Sequence, residues 1–267
     1  MRFDLKHFAA TLSLTVTVSA GIPVVAHAQA LAAQPLTSPF APASNIEARS
    51  AFKDLFADTI ADFTQVPSKK NLTILAIGGV AAALGHPADN QVSQTLVGSK
   101  GLGTVLSGGN TMGSAAIQMA AAMATYTIGR STSNVKVRML GADLFRAQIV
   151  AQALTQGIKF SVDRTRPDGT AYSFPSGHTA SAFATAAVLE RNLGWKAGVP
   201  AYAAAAYVAA SRVQDQRHYL SDVAFGAAIG IVAGRAVTIG RGDARFAVSP
   251  APTAGGAAVN FTLIGKN

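Results

Sequence analysis

Three short polar runs constrain what this 267-residue chain can become. They are Lys159-Phe-Ser-Val-Asp-Arg-Thr-Arg166-Pro167, then Pro175-Ser176-Gly177-His178, then Ser211-Arg212-Val-Gln-Asp-Gln-Arg-His218-Tyr-Leu-Ser-Asp222. Lys159 and Arg166 stand two helical turns apart, so both project from one face near a helix end. Positive charge of that kind suits a phosphate dianion, and arginine adds a planar fork that grips two oxygens. A basic helix end that only complements the macrodipole would use the same two residues.

The second run precedes a stretch of helix formers. Ser176 can cap it, Gly177 lets the backbone approach a ligand, and the free N–H groups of a helix start form an anion site. Capping alone accounts for Ser176 and Gly177 but leaves His178 unexplained. In the third run Arg212 adds another cation, and His218 and Asp222 are i, i+4 neighbours. A carboxylate bonded to one imidazole nitrogen fixes the tautomer and leaves the other nitrogen free to attack. An ordinary surface His–Asp pair would fit those two residues as well. Brought together, the runs could hold a tetrahedral oxyanion, attack it and protonate what leaves.

The remaining sequence predicts an all-α, compact bundle of about seven helices. They run from Asn45 to Phe63, Leu72 to Leu84, Gly113 to Ile128, Gly141 or Asp143 to just before Pro167, His178 to Asn192, Pro200 to Arg212 and Asp222 to Ile239. The Gly-rich segment 85–110 matches no phosphate-binding glycine pattern and reads as loop. At the end, Phe246-Ala-Val-Ser and Val259-Asn-Phe-Thr-Leu-Ile alternate like two strands, giving a short β-hairpin-like tail. Arg241-Gly242-Asp243 spells an adhesion tripeptide of the kind that usually arises by chance. The expected organisation is a signal peptide over 1–28, a flexible leader over 29–44, the helical domain over 45–242 and the tail over 243–267.

The signal reading rests on Arg2 and Lys6, the apolar or small run Phe8–Ala20 and the cleavage-type Ala26-His27-Ala28. It predicts an exported, periplasmic protein. The net charge of +9 suits anionic substrates or membrane surfaces. Charged residues are only 13% of the chain and no Lys/Arg run carries interleaved aromatics, which argues against nucleic acid as the partner. With no cysteine, disulfides, thiolate nucleophiles and cysteine zinc sites are excluded. The aspartates 163, 168, 215 and 222 are scattered, which disfavours a metal cluster, and the G-x-S-x-G elbow is absent. Most uncharged windows are shorter than a membrane span, so a soluble bundle is expected, with membrane-surface contact as the alternative.

The order Lys-x6-Arg-Pro, Pro-Ser-Gly-His, Ser-Arg-x5-His-x3-Asp resembles the three-part signature of the type 2 phosphatidic acid phosphatase / vanadium haloperoxidase superfamily. The resemblance covers about residues 159–222, with a short gap between Pro167 and Pro175. It implies that Lys159, Arg166 and Arg212, with the backbone N–H groups of Ser176 and Gly177, bind phosphate oxygens. His218 would be the nucleophile that forms a phosphohistidine, Asp222 would orient it, and His178 would protonate the leaving alcohol and then activate water. No metal or cofactor is implied, and vanadate, which mimics the pentacoordinate transition state, is the expected inhibitor. The leading expectation is an exported, metal-independent phosphatase acting on small phosphomonoesters, acid phosphatase-like in type. Two alternatives keep the site: a membrane-associated lipid phosphate phosphatase acting on phosphatidate or undecaprenyl diphosphate, and a vanadate-dependent haloperoxidase.

Overall fold

The computed structural model describes residues 11–18, 55, 58–97, 100–238, 245–253 and 256–264. The leader, the Ala26-His27-Ala28 site, the Asn45 cap and the Arg241-Gly242-Asp243 tripeptide lie outside the described residues. By its internal contacts the chain divides into a unit spanning 49–239 and a unit built from both ends, 1–48 with 240–267.

The first unit is helical. A short helix, α1, covers 58–65. Then follow α2 (Lys69–Gly85), a 3-10 turn (His86–Ala88), α3 (Asp89–Val97), α4 (Lys100–Leu106), α5 (Gly109–Gly113) and α6 (Ala115–Ser131). After them come α7 (Val135–Val162), α8 (Gly177–Leu193), α9 (Trp195–Gln214) and α10 (Leu220–Val237).

Two helix starts differ from the sequence expectation. Helix α7 begins at Val135 because the Asn134 side chain caps it, accepting from the Val137 N–H at 3.2 Å. Gly141, read as a possible start, is a packing residue: a Cβ there would lie 2.2 Å from Tyr126 N on α6. Helix α9 starts at Trp195 and carries Pro200 inside it. The carbonyl deprived of a partner belongs to exposed Lys196, where water can reach it.

Segment 85–110 is not a loop but contains α3 and α4 and the first residues of α5. Gly103, Gly108 and Gly109 serve close approach rather than turning. A Cβ on Gly109 would meet Ser211 Oγ at 2.1 Å, and one on Gly113, just beyond, would meet Val208 at 2.5 Å, so α5 lies directly against α9. Side chains anchor the same segment, with Gln216 Nε2 donating to Ser93 Oγ at 2.6 Å.

Helix α10 packs on α8 through glycines spaced one turn apart. A Cβ would meet Ser176 O at 2.7 Å from Gly226, Ala180 O at 2.4 Å from Gly230 and Ala187 Cβ at 2.6 Å from Gly234. Alanine and valine fill the interior so formed, with Ala147, Val150, Ala180, Ala184, Val188 and Val232 fully buried. Small residues on facing helices bring the backbones together, and that positions the ends of α7, α8 and α9 around one point.

The outer surface is less like that of a soluble bundle. Among the described residues, two stretches, Lys69–Val97 and Leu220–Val237, are long and apolar enough to cross a membrane. The second is mostly core, whereas the first is mostly unburied, with Leu72, Ile77, Val80 and Leu84 exposed on α2. Ile128, Phe160, Trp195 and Val199 are exposed as well.

Among the described residues, the second unit contains three strands in the order β1-β3-β2: β1 (Thr11–Val18), β2 (Arg245–Thr253) and β3 (Gly256–Ile264). Strands β2 and β3 pair antiparallel, with Val248 opposite Phe261, and β1 pairs antiparallel with the other edge of β3, with Val16 opposite Val259. Strand β1 lies within the run read as a secretion signal. Cleavage after Ala28 would remove it and leave β2 and β3.

Candidate active site

Lys159 reaches the site from the last turn of α7. It is buried, and its Nζ donates to the Tyr172 carbonyl at 2.5 Å. Tyr172 holds φ near 64°, a left-handed conformation that costs a tyrosine energy and turns that carbonyl toward the lysine. Burial, then the neighbouring Arg166 guanidinium, lower the Lys159 ammonium to about 8.

Helix α7 ends where Asp163 enters the left-handed region. The chain then folds back on itself. The Arg166 N–H donates to Thr170 O at 2.7 Å, Gly169 with φ 84° makes the turn, and the Ser173 N–H donates to Arg164 O at 2.7 Å. The short gap between the first two runs is therefore a tight turn that delivers Arg166 beside the start of α8.

Ser176 is the N-cap of α8. Its hydroxyl oxygen accepts from the Thr179 N–H at 3.4 Å and from the Thr179 hydroxyl at 2.9 Å. Its own backbone N–H donates to Asp222 O at 3.0 Å. That differs from the expected phosphate contact, because the close α8–α10 packing gives this N–H a protein acceptor. The N–H groups of Gly177 and His178, in the first turn, have no carbonyl four residues back and are the ones a helix start offers to an anion. The half-buried His178 ring is lowered to about 4 by burial first, then by Arg212, His218, Arg166 and Arg217.

Arg212, in the last turn of α9, is buried. Its Nη1 donates to Asn110 Oδ1 at 3.0 Å and Asp215 Oδ2 at 2.9 Å. The Nε groups of both Arg166 and Arg212 are buried and have no acceptor among the described residues. Such donors are costly to leave unpaired, and phosphate oxygens would satisfy them.

His218 sits in the turn that leads into α10 and is 4% exposed. Its Nδ1 lies 2.7 Å from the Ser173 carbonyl and 3.7 Å from Asp222 Oδ2. A carbonyl can only accept, so Nδ1 carries the proton and Nε2 keeps its lone pair. The expected direct His218–Asp222 bond is replaced because other donors engage the carboxylate. Asp222 Oδ2 accepts from the Tyr219 N–H at 2.8 Å and from the Ser173 hydroxyl, and Oδ1 accepts from Arg164 at 2.7 Å. Burial lowers the His218 pKa most; Asp222 opposes this, and Lys159 and Arg166 add to it.

Lys159, Arg166, Arg212, His178 and His218 are thus close enough for each to feel charge from others in the set, and Asp222 stands behind the His218 ring. Sequence reasoning missed Arg164, Ser173, Tyr172, Asn110 and Asp89. Arg164 and Ser173 were visible near the runs but lacked an assigned partner. Asn110 and Asp89 lie in the segment read as loop.

A helical bundle holding a cation-lined site with two imidazoles is the class of protein these features define. Residues 141–245 match the model of the PAP2 superfamily. Over 110 residues it is 42% identical to a lipid A 1-phosphatase of Porphyromonas gingivalis, a match covering 40% of this chain and 24% of that protein's length. Among solved structures it is similar to Aquifex aeolicus LpxE, at 21% identity and TM-score 0.48, over 56% of this chain and 93% of that one. It is also similar to a transmembrane PAP2 type phosphatidylglycerolphosphate phosphatase from Bacillus subtilis, at 21% identity and TM-score 0.45, over 70% of this chain and 92% of that one.

Proposed function

We propose that this protein is a membrane-associated phosphatase that hydrolyses the phosphate monoester of a lipid through a phosphohistidine. The observation that carries the phosphatase reading is the convergence of Lys159, Arg166 and Arg212 on two imidazoles, His178 and His218, whose pKa values they help to lower. Lys159, Arg166, Arg212 and the first-turn N–H groups of α8 hold the phosphate oxygens, so charge stabilisation carries most of the rate. The Nε2 lone pair of His218 attacks phosphorus in line, the P–O bond to the alcohol breaks, and His178 gives its proton to the departing oxygen. Neutral His178 then takes a proton from water, the resulting hydroxide attacks phosphorus, and the P–N bond breaks to release phosphate and restore His218. The route needs no metal, because the cations of the chain supply the positive charge.

The lipid substrate is supported by the exposed apolar side chains of α2 and by the match to a relative that is itself named a lipid A phosphatase. It replaces the soluble phosphomonoesterase expected from sequence. Export through residues 1–28 would place the site outside the cytoplasm. The test is phosphate release by the detergent-purified full chain from phosphatidate, lipid A, undecaprenyl diphosphate and p-nitrophenyl phosphate, without metal and with vanadate as inhibitor. Lipid phosphates should be turned over with the higher kcat/KM. Activity confined to the soluble fraction and to small esters would refute the lipid assignment.

A further inference from the structure

One polar assembly behind the site has no part in the phosphatase steps. Arg164 follows the end of α7, and its guanidinium donates in two directions. Nη1 reaches Asp222 Oδ1 and Ser221 Oγ, both at 2.7 Å, and Nη2 reaches Asp89 Oδ2 at 2.8 Å. Asp89, buried at the start of α3, also accepts from the Ser221 N–H at 2.9 Å and the Ser221 hydroxyl at 2.6 Å. The guanidinium carbon lies 4.2 Å from the centroid of the Tyr219 ring. The opposite face of Asp222 accepts from the Ser173 hydroxyl, and the Ser173 N–H donates to Arg164's own carbonyl. The Ser173 carbonyl in turn takes Nδ1–H of His218.

We infer that Arg164, anchored by Asp89, is a positioning residue that sets the His218 ring through Asp222 and Ser173. A carboxylate 3.7 Å from the ring, beside several cations, has strong competitors for its charge. Its Oδ2 is held by the Tyr219 N–H and the Ser173 hydroxyl, and Oδ1 by Arg164; without that guanidinium the carboxylate would rotate toward Nδ1 or toward Lys159, and the ring would leave the Ser173 carbonyl. A guanidinium with two arms in fixed geometry prevents both, whereas a lysine ammonium is a point charge with no rigid fork to set the direction of each bond. The charged groups around the ring are Lys159 from α7, Arg166 from the turn, His178 from α8 and Asp222 from α10. Those around Arg164 are Asp89, His86 and Asp222. Small displacements of a reacting atom reduce rate steeply, so these outer partners control kcat.

The inference rests on the phosphatase reading of the site. The experiment compares the detergent-purified full chain with Arg164→Gln, Arg164→Lys and Asp89→Asn. Arg164→Gln should lower kcat about 100-fold, with KM and inhibition by inorganic phosphate nearly unchanged. The acid limb of kcat/KM should move to higher pH, since Asp222 without its guanidinium takes a proton more readily. Arg164→Lys should recover about tenfold of that loss, and Asp89→Asn should fall between the two. A wild-type kcat and pH profile in Arg164→Gln overturns the inference, as does a lysine variant no better than glutamine. If the wild-type protein releases no phosphate from any substrate, the phosphatase reading fails by itself. The ring ¹⁵N shifts of His218 then decide: one Nδ1–H tautomer in wild type and a mixture in Arg164→Gln support positioning, and identical spectra refute it.

Discussion

The Nδ1 of His218 is 2.7 Å from the backbone carbonyl of Ser173, a full ångström nearer than the Asp222 carboxylate at 3.7 Å. The tautomer of the proposed nucleophile is therefore fixed by main chain, and the carboxylate acts as a counter-charge one step away. A cationic phosphoimidazolium needs that charge, whereas the neutral ring does not.

Substitutions should separate these roles. His218→Ala should lower kcat by about 1,000-fold or more, since it removes the attacking atom. Ser173→Ala keeps the carbonyl and loses only the hydroxyl bond to Asp222, so kcat should fall less than about tenfold. Steady-state turnover of a lipid phosphate by both variants checks the pair.

The lowered pKa of His178 sets a pH signature. In the free protein the ring is protonated only below about 4, so kcat/KM should decline as pH rises above that value. Bound phosphate cancels part of the Arg212 and Arg166 charge, which restores the proton's affinity. The alkaline limb of kcat should accordingly lie at higher pH than that of kcat/KM. His178→Gln should lower kcat about 100-fold or more with an alkoxide leaving group, and much less with p-nitrophenolate, which leaves without protonation. Paired pH–rate profiles on the two substrates make the comparison.

Lys159 should impose a second limit. Its ammonium, lowered to about 8, loses its charge as pH rises past that value. Competitive inhibition by inorganic phosphate should weaken above about pH 8 in the wild type. Lys159→Met should bind phosphate weakly at every pH and lose this dependence. Inhibition constants measured from pH 6 to pH 10 provide the check.

Helix contact rather than chemistry governs the fourth expectation. Gly230→Ala would place a Cβ 2.4 Å from Ala180 O and push α10 off α8, lowering stability by about 1–3 kcal/mol. At Gly157 on α7 nothing lies within 4 Å of a new Cβ, so Gly157→Ala should raise stability by about 0.5–1 kcal/mol. Denaturant midpoints of the detergent-purified variants, read side by side, should move in opposite directions.

Much of this was legible in the sequence because helices and their caps are local. The cap at Ser176 follows from residues a few positions apart, and α8 falls where the periodicity puts it, but α7 ends at Val162, so Arg166 reaches the site from the following turn and not from one helical face shared with Lys159. Glycine was the misleading signal. In 85–110 it was read as loop, and at Gly141 as a helix start, although both serve close helix contacts that only distant residues create.

The sequence by itself determined the inventory and its order: three cations, two imidazoles and a carboxylate on stretches short enough for local rules to apply. Tertiary structure decided who holds whom. The bond from Ser173 to His218, the grip of Arg164 on both Asp222 and Asp89, and the use of the Ser176 N–H by Asp222 each join residues 45 to 75 positions apart. Such pairings depend on how closely α8 and α10 approach, and that distance is set by small side chains meeting across the interface rather than by any spacing along the chain.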